Sequence, residues 1–468
     1  MGIGGSLSQH RRDILVRAAK DGGHLMNVDN MAGMVDDSTG VFRVDRNAYI
    51  DPTIFEREME TIFESGWIYV CHESQIEKHG DYYAARAGRQ PIFIIRDSDG
   101  SIRGFIDACP HRGAVLTRTR RGSLKTIQCR FHGWCFDTSG NCTRIKNEEG
   151  GWPGGIDRTR FALTPVPAVE SYKGFVYASL SADVSPLGDA LGEARHFIDL
   201  VADQSPEGME IVPGNQSYMI NGNWKLQAEN GVDGYHVSTV HRVFARAVAK
   251  REALGDQDEM RKTEAARING KVESGVYDLG NGHMLLWARR GNPEVAPLAE
   301  NLNWLNRQYD ADKVDWMLNK GRNLFLFPNM HLMDQSSTQI RVTIPHAVDR
   351  TEVRVYCIAP RGESRIARAA RLRKFEDFFM VTGMATPDDM AALEDVQRGS
   401  DGRLARWNEM DRGMSFVLIG ADNATAKIGA SPVTSNSDWD SETLFHGFYR
   451  EWSNRISVQG PKSERATH

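Results

Sequence analysis

The sequence of 468 residues has few cysteines, no excess of positive charge and no long apolar run. Its 6 cysteines are too few for a disulfide-stabilised scaffold. Lysine and arginine total 57 against 62 acidic residues, a net charge of −5, which gives no support for binding nucleic acid or an anionic membrane. No apolar run approaches the roughly 20 residues of a membrane-spanning helix, and the N-terminus lacks a signal peptide's apolar stretch. We therefore expect a cytoplasmic protein that binds neither nucleic acid nor membranes.

The composition is that of an ordinary globular protein, with 40% hydrophobic and 25% charged residues, so the chain can bury a large core. Apolar spacing over residues 51–65 predicts an amphipathic helix, and short β-rich runs separated by glycine and aspartate follow to about residue 180. A charged, mostly helical connector leads to a region of mixed pattern. We predict an α+β protein with an N-terminal extension (1–50), a β-rich domain (51–180) and a larger α+β domain with an antiparallel sheet (181–468).

Within the larger domain the sequence pattern predicts individual elements. These are a strand over 219–224, a helix over 225–243, antiparallel strands over 338–344 and 353–359, a helix over 361–379 and another helix that begins at 386.

Two short motifs in the β-rich domain each combine one cysteine with one histidine. Cys109 and His111 form the first, and Cys129 and His132 form the second, in the pattern C-x-H…C-x2-H. Two thiolates and two imidazoles can bind a zinc ion, or a [2Fe–2S] cluster with both cysteines on one iron and both histidines on the other. A Cys2His2 zinc finger takes each ligand type from its own motif, whereas mixed loops suit the cluster.

A second group of candidate ligands lies in the larger domain, where Asp233, His236 and His241 form the pattern D-x2-H-x4-H. On an ideal helix, histidines five residues apart point about 140° away from each other, which is a poor geometry for chelation. They can converge if the helix is irregular near residues 231–234. Taken alone, the motif is also compatible with a polar helix surface.

Together the motifs resemble those of Rieske ring-hydroxylating oxygenases. The first pair of motifs is similar to a Rieske centre, and D-x2-H-x4-H resembles the mononuclear-iron motif of that family. The similarity extends over about residues 41–450, through segments such as Trp67-Ile68-Tyr69, Gly88-Arg89-Gln90-Pro91 and Phe375-Glu376-Asp377-Phe378-Phe379. Over this range the chain is similar to the large subunits of the benzoate, anthranilate and salicylate group of ring hydroxylases.

The resemblance implies a ligand set for each metal. The Rieske cluster would be held by Cys109, His111, Cys129 and His132, and Fe(II) by His236, His241 and Asp389. The resemblance favours Asp389 over the adjacent Asp388, although both acids could serve only the helix start. Asp233 would not bind metal but would hydrogen-bond a histidine of the iron site and, across a subunit boundary, a Rieske histidine. A polar turn residue is the alternative for Asp233. The bridge across subunits implies a head-to-tail trimer.

The resemblance also implies an activity. Electrons from NADH would pass through a separate reductase to the cluster and then to Fe(II), and both atoms of O2 would add to adjacent carbons of an aromatic carboxylate. A small β subunit would complete an α3β3 assembly, or the chain would form α3. Alternative hypotheses are a Rieske monooxygenase or demethylase, an electron-transfer iron–sulfur protein and a zinc-stabilised binding module.

Candidate substrate contacts follow from the proposed carboxylate. Arg341 and His331 could each contact it, or be exterior residues of their strands. Four apolar residues could line a substrate pocket or belong to the core: Met330, Leu332, Met333 and Met384.

Overall fold

The structure, a computed structural model, describes residues 31–255, 272–335 and 337–458. Most of the predicted N-terminal extension therefore lies outside the described residues. Within these ranges no helix is both long and apolar enough to cross a membrane.

The described chain begins with short elements that precede the β-rich part. They are a 3-10 turn (Ala32–Met34), strands β1 (Val35–Asp36) and β2 (Arg43–Asp45), helices α1 (Asn47–Ile50) and α2 (Pro52–Glu58), and a π-helical turn (Met59–Phe63). The Asp51 side chain accepts a hydrogen bond from the backbone N–H of Thr53 at 2.7 Å, which caps α2. The helix start predicted from the sequence is confirmed.

The β-rich part contains three small antiparallel sheets. Its elements are β3 (Ile68–His72), β4 (Asp81–Ala87), β5 (Gln90–Arg96), β6 (Ile102–Ile106), β7 (Arg121–Ser123), β8 (Ile127–Gln128), β9 (Cys135–Phe136), β10 (Cys142–Arg144), α3 (Glu148–Gly151), β11 (Ala168–Tyr172) and β12 (Phe175–Ser179). The strand orders are β6-β5-β4-β7, β10-β9-β8 and β11-β12-β3. Phe93, Phe105 and Phe136, which come from the first two of these sheets, pack in one cluster with Cys109 and Cys129.

The larger part is built on one antiparallel sheet with helices on both faces. Its helices are α4 (Leu187–Leu191), α5 (Ala194–Ala202), α6 (Trp224–Asn230), α7 (Val237–Val240), α8 (Arg242–Ala253), α9 (Leu302–Gln308), α10 (Ala311–Asn319), α11 (Arg365–Lys374) with a π-helical turn (Phe375–Phe379), α12 (Thr386–Gly399), α13 (Asn423–Ala426) and α14 (Leu444–Ser457). Its strands are β13 (Met209–Ile211), β14 (Gln216–Ile220), β15 (Ser274–Asp278), β16 (Met284–Arg289), β17 (Lys320–Leu326), β18 (Met330–Asp334), β19 (Thr338–Ala347), β20 (Arg350–Pro360), β21 (Trp407–Glu409), β22 (Leu418–Ile419) and β23 (Thr434–Asn436).

The order of the large sheet is β13-β20-β19-β18-β17-β16-β15-β23-β22, with β14 also paired to β20, whereas β21 joins β2. Alternate side chains of its strands enter two different cores, as the period of two in a strand requires. Leu286 and Phe325 pack with Trp224 in one core, and Leu285 and Leu324 belong to the other. The metal-binding candidates of this part lie on the first side.

Two predicted elements differ from the structure for local reasons. The strand predicted over 219–224 ends at Ile220, because Asn223 caps a helix by accepting from the backbone N–H of Lys225 at 3.1 Å. The helix predicted over 225–243 is broken between Asn230 and Val237 and again at His241.

The two parts share a core and several polar contacts. The side-chain amide of Asn329 donates to the carbonyl of Tyr69 at 3.1 Å and its oxygen accepts from the Tyr69 N–H at 2.9 Å. The hydroxyls of Tyr83 and Tyr356 lie 2.6 Å apart. The α+β prediction, with a β-rich part followed by a larger part on an antiparallel sheet, is confirmed.

Candidate metal centres

The two cysteine–histidine loops have the same internal geometry. In each, the cysteine N–H donates to the carbonyl five residues ahead at 2.8 Å, and a glycine N–H four residues ahead returns a bond to the cysteine carbonyl. These glycines, Gly113 and Gly133, have φ of 71° and 73°, a left-handed conformation that glycine adopts without strain. The loops are therefore matched turns that present a cysteine first and a histidine next.

Both cysteines are buried, whereas His111 is exposed and His132 is half-buried. Cys109 and Cys129 are 3% and 1% exposed. The pKa of Cys109 is raised to about 11, chiefly by burial; the Cys129 thiol also raises it, and the backbone N–H of His111 opposes the change. The imidazoles of His111 and His132 lie with ring centroids 4.5 Å apart. The structure thus brings the thiols together in one pair and the imidazoles together in another.

The donor arrangement fits a two-iron cluster better than a zinc ion. A zinc ion would require all four side chains to converge on one point. Among the described residues, the four do not form a group of donor atoms around a single ion, whereas His236, His241 and Asp389 do. The Nδ1 of His132 is buried and has no hydrogen-bond partner among the described residues, as expected of a donor atom reserved for a metal.

The break in the helix explains how His236 and His241 meet. His236 precedes the single turn α7 and His241 follows it, so the two histidines are not on one continuous helix. Their Nε2 atoms lie 3.3 Å apart. The irregularity near residues 231–234 that the spacing requires is present.

Asp389 completes this group from a distant helix. It lies in the first turn of α12, with Oδ1 3.5 Å from the Nε2 of His236 and 3.2 Å from the Nε2 of His241. All three donors lie within 4.8 Å of one another. Two imidazoles and one carboxylate are the facial donor set that binds non-haem Fe(II) and leaves positions open.

The charges of the three donors affect one another's pKa values. Burial alone would raise the pKa of Asp389, but the hydrogen bond and charge of His241, with the charge of His236, lower it overall. Burial opposes a charged His236, yet the contact with Asp233 and the charge of Asp389 raise its pKa. The carboxylate is therefore held ionised beside two imidazoles.

Asp233 lies against the outer side of His236. Its Oδ2 is 3.2 Å from His236 Nδ1, and its Oδ1 accepts from the backbone N–H of Tyr235 at 2.7 Å. It lies outside the group of three that could hold a metal. Asp233 therefore forms the turn and also contacts the imidazole.

Several residues of this site carry no motif in the sequence. Asn230 donates to Asp389 Oδ1 at 3.3 Å, and Trp439 donates to the carbonyl of Gly234 at 2.9 Å. Gly231 and Gly234 leave no room for a side chain, since a Cβ would lie 2.2 Å from His331 and from the Trp439 carbonyl respectively. Gly231 and Gly234, on either side of Asp233, are a sequence signal of close approach, whereas Trp439, some 200 residues further on, carries no such signal.

A cavity opens beside the three donors. Its apolar walls come from Val237, Leu286, Met333, Phe378, Phe379 and Trp439. Of the four apolar candidates named from the sequence, Met333 lines it, whereas Met330 and Leu332 belong to the core on the opposite face of the sheet. Met384 is half-buried and does not line the cavity.

The two candidates for a carboxylate contact are both buried, so the exterior alternative is wrong. Arg341 is 2% exposed and lines the cavity. His331, 0% exposed, lies opposite it on the neighbouring strand, and its Nε2 lies 3.2 Å from the carbonyl of Ala228.

Comparison with known proteins agrees with this geometry. Residues 66–170 match the Rieske [2Fe-2S] domain, and residues 209–457 match the ring hydroxylating alpha subunit (catalytic domain). The chain is 43% identical to toluate 1,2-dioxygenase subunit alpha of Pseudomonas putida, over 92% of this chain and 94% of the relative. It is 37% identical to the anthranilate 1,2-dioxygenase large subunit of Acinetobacter baylyi, over 89% of this chain and 90% of the relative.

A solved structure of naphthalene 1,2-dioxygenase with indole bound in the active site has the same fold, with a TM-score of 0.80 at 24% identity over 92% of this chain and 95% of that chain. The chain belongs to the family of ring-hydroxylating dioxygenase alpha subunits, which carry a Rieske [2Fe–2S] cluster and a mononuclear iron.

Proposed function

We propose that this chain is the large subunit of a dioxygenase that adds both atoms of O2 to adjacent ring carbons of an aromatic carboxylate. The observation that carries the proposal is the cavity beside the donors of His236, His241 and Asp389, whose walls are largely aromatic and aliphatic. Relatives at 37–43% identity are named as dioxygenases of toluate, 2-halobenzoate and anthranilate. With benzoate, the balanced reaction consumes O2, NADH and a proton and gives a cis-diol and NAD⁺.

The proposed iron ligands are His236, His241 and Asp389. Iron held there supplies the activation of O2, and the Rieske cluster supplies electrons singly. The chain's own contribution is to fix the donors and to orient the ring. Phe378 and Phe379 offer flat apolar faces against which an aromatic ring can pack, and this packing also removes water from beside the metal.

Asn230 supports Asp389 by donating to the oxygen, Oδ1, that faces both histidines. Such a bond holds a carboxylate ligand in one orientation.

The proposed cluster ligands are Cys109, His111, Cys129 and His132. The burial of the two cysteines and the separation of the four side chains into a thiol pair and an imidazole pair support this assignment. Neutral imidazoles on one iron raise the reduction potential of such a cluster, so it accepts electrons from a reductase readily.

We propose for Asp233 a role between the two metals. Its carboxylate lies against His236 and is part-exposed, with 27% of its side chain accessible. The matched loops likewise expose His111 at the surface. Both residues are therefore accessible to a neighbouring subunit, and we propose that Asp233 bridges to a Rieske histidine of that subunit in a head-to-tail trimer. The trimer forms with or without a small β subunit, and a separate NADH-dependent reductase supplies its electrons.

Product analysis with ¹⁸O2 tests the proposal. The purified holoenzyme, with its small subunit, a family reductase and NADH, is offered benzoate, anthranilate and salicylate. We expect two labelled oxygens in the diol formed from benzoate. One labelled oxygen would instead identify a monooxygenase. NADH consumption without any labelled product from the three acids would contradict the substrate class, while metal analysis would report separately on the ligands.

A further inference from the structure

Arg341 occupies the wall of the cavity from the central sheet. It lies on β19 directly opposite His331 of β18, so both side chains leave the same face of the sheet. Arg341 is 2% exposed, and its guanidinium carbon lies 5.3 Å from the centre of the Phe379 ring. Both Arg341 and Phe379 line the cavity beside the three donors. A positive charge is therefore buried where a substrate would bind.

This guanidinium lacks the partner that other buried arginines have. Arg322 and Arg371, 2% and 3% exposed, are paired with the carboxylates of Asp334 and Glu363. In the described part of the chain, no carboxylate lies within 4.0 Å of the Arg341 guanidinium, and Asp389 interacts with its charge only at longer range.

The hydrogen bonds of Arg341 are equally incomplete. A terminal guanidinium nitrogen of Arg341 donates to the hydroxyl of Thr386 at 3.5 Å, the outer limit for a hydrogen bond. Its buried Nε has no partner among the described residues. A guanidinium offers five N–H donors, and a buried charge without partners is costly. The free donors therefore predict an anionic partner that comes from outside the chain.

His331 is not an equivalent candidate. Burial and the neighbouring charge of Arg341 lower its pKa to about 3, so it is neutral at physiological pH. Its Nε2 is directed at the carbonyl of Ala228, and the residue does not line the cavity.

We infer that Arg341 binds the carboxylate of the substrate within the cavity. The inference rests on the proposed function and adds the residue that selects acids over neutral aromatics. A guanidinium can meet a carboxylate through two parallel N–H bonds, which fixes the orientation of the ring as well as its position. The aromatic ring of the acid then lies along the apolar walls, towards His236, His241 and Asp389.

The test compares Arg341→Gln and Arg341→Lys with the wild-type holoenzyme on benzoate and on its neutral analogue benzamide. We expect Arg341→Gln to raise the KM for benzoate about 10- to 100-fold and to weaken benzoate binding in calorimetry equally. Benzamide should change by less than about threefold, because it cannot form the charged pair. Arg341→Lys keeps the positive charge but loses the two parallel N–H donors, so its KM for benzoate should lie between those of the wild type and Arg341→Gln.

A structural role for Arg341 would give a different pattern. If Arg341 only supports Asp389, Arg341→Gln would lower the mononuclear iron content and impair benzoate and benzamide alike, which would overturn the inference. Arg373→Gln, at a side chain 66% exposed, is the matched control and should match the wild type. Failure of the wild type to turn over any aromatic carboxylate would instead refute the proposed function, and is distinguished because that assay comes first.

Discussion

Asp233 holds the imidazole of His236 from the side opposite to the candidate metal position. Asp233 Oδ2 lies 3.2 Å from Nδ1, while His236 Nε2 lies 3.3 Å from the Nε2 of His241. A carboxylate this close to Nδ1 favours a proton on that nitrogen, which leaves the lone pair of Nε2 for the metal. The same carboxylate also forms the turn through the Tyr235 N–H. Its two functions can therefore be separated by substitution.

The substitution Asp233→Asn should retain both metals and slow turnover by about 10- to 100-fold, which is the usual loss when the side chain that contacts a metal-binding histidine is replaced. Asparagine still offers an oxygen to the Tyr235 N–H, so the turn should persist. The measurement is single-turnover reoxidation of the reduced cluster with benzoate and O2, together with iron content. Normal reoxidation in this variant would exclude Asp233 from electron transfer.

The adjacent acids Asp388 and Asp389 make a matched pair for the iron site. Asp389→Ala removes the carboxylate from the three-donor group and should abolish turnover and mononuclear iron, while the visible spectrum of the cluster stays intact. Asp388 shares the first turn of α12 but is not in that group. Asp388→Ala should therefore keep iron and lose at most about 1 kcal/mol from the helix start. Equal iron contents in the two variants would refute the assignment.

The sequence predicted the site better where its residues are close along the chain. The two cysteine–histidine loops and the pair His236 and His241 each lie within a few residues, so their spacing alone restricted the possible geometry. Asp389 depended on resemblance, because nothing local distinguishes it from Asp388, and only the turn of α12 directs one of them inward.

The cavity could not be predicted in this way. Its walls come from Leu286, Phe378 and Trp439, which lie on separate elements that the fold brings together. Periodicity also misplaced the strand end near Ile220, since the cap formed by Asn223 outweighs the β-rich pattern that continues to Trp224. The sequence also could not predict whether Arg341 is buried or exposed, because a strand buried on both faces does not alternate between polar and apolar residues.

A buried ion pair joins the beginning of the described chain to α6. Lys225 and Glu58 are both 0% exposed, and Glu58 also accepts from the indole N–H groups of Trp224 at 2.8 Å and Trp452 at 2.7 Å. Lys225→Met should lower the free energy of unfolding by about 3–5 kcal/mol, since it leaves a buried carboxylate without its cation.

Thermal and denaturant unfolding of the Lys225→Met holoenzyme measure this loss. The double variant Lys225→Met/Glu58→Gln should recover part of it, because the amide carries no charge and its oxygen still accepts from one of the two indoles. A double variant as unstable as the single one would show that packing, and not the unpaired charge, causes the loss.

His283 should make the stability of the protein sensitive to acid. It is 4% exposed; its Nδ1 accepts from the backbone N–H of Phe327 at 2.9 Å, and its Nε2 donates to the carbonyl of Ala190 at 2.9 Å. Burial lowers its pKa from 6.5 to about 4, although the bond to Ala190 opposes this. Protonation at Nδ1 would also replace an acceptor with a donor facing the Phe327 N–H. The neutral form is therefore the folded form.

The sign of the effect follows from linkage. Below pH 6.5 the unfolded chain binds a proton at this histidine that the folded chain does not, so stability is lost as the pH falls from 6.5 towards 4. The loss is about 1.4 kcal/mol per pH unit, or roughly 2 kcal/mol by pH 5. Buried Glu229, whose pKa burial raises to about 7, acts in the opposite sense.

The measurement compares the Tm of the wild type and of His283→Gln at pH 7.5 and at pH 5. We expect the variant to be less stable at pH 7.5 but to lose less on acidification. His196→Gln, at a side chain 40% exposed, should follow the wild type, and parallel losses in all three proteins would contradict the role of His283.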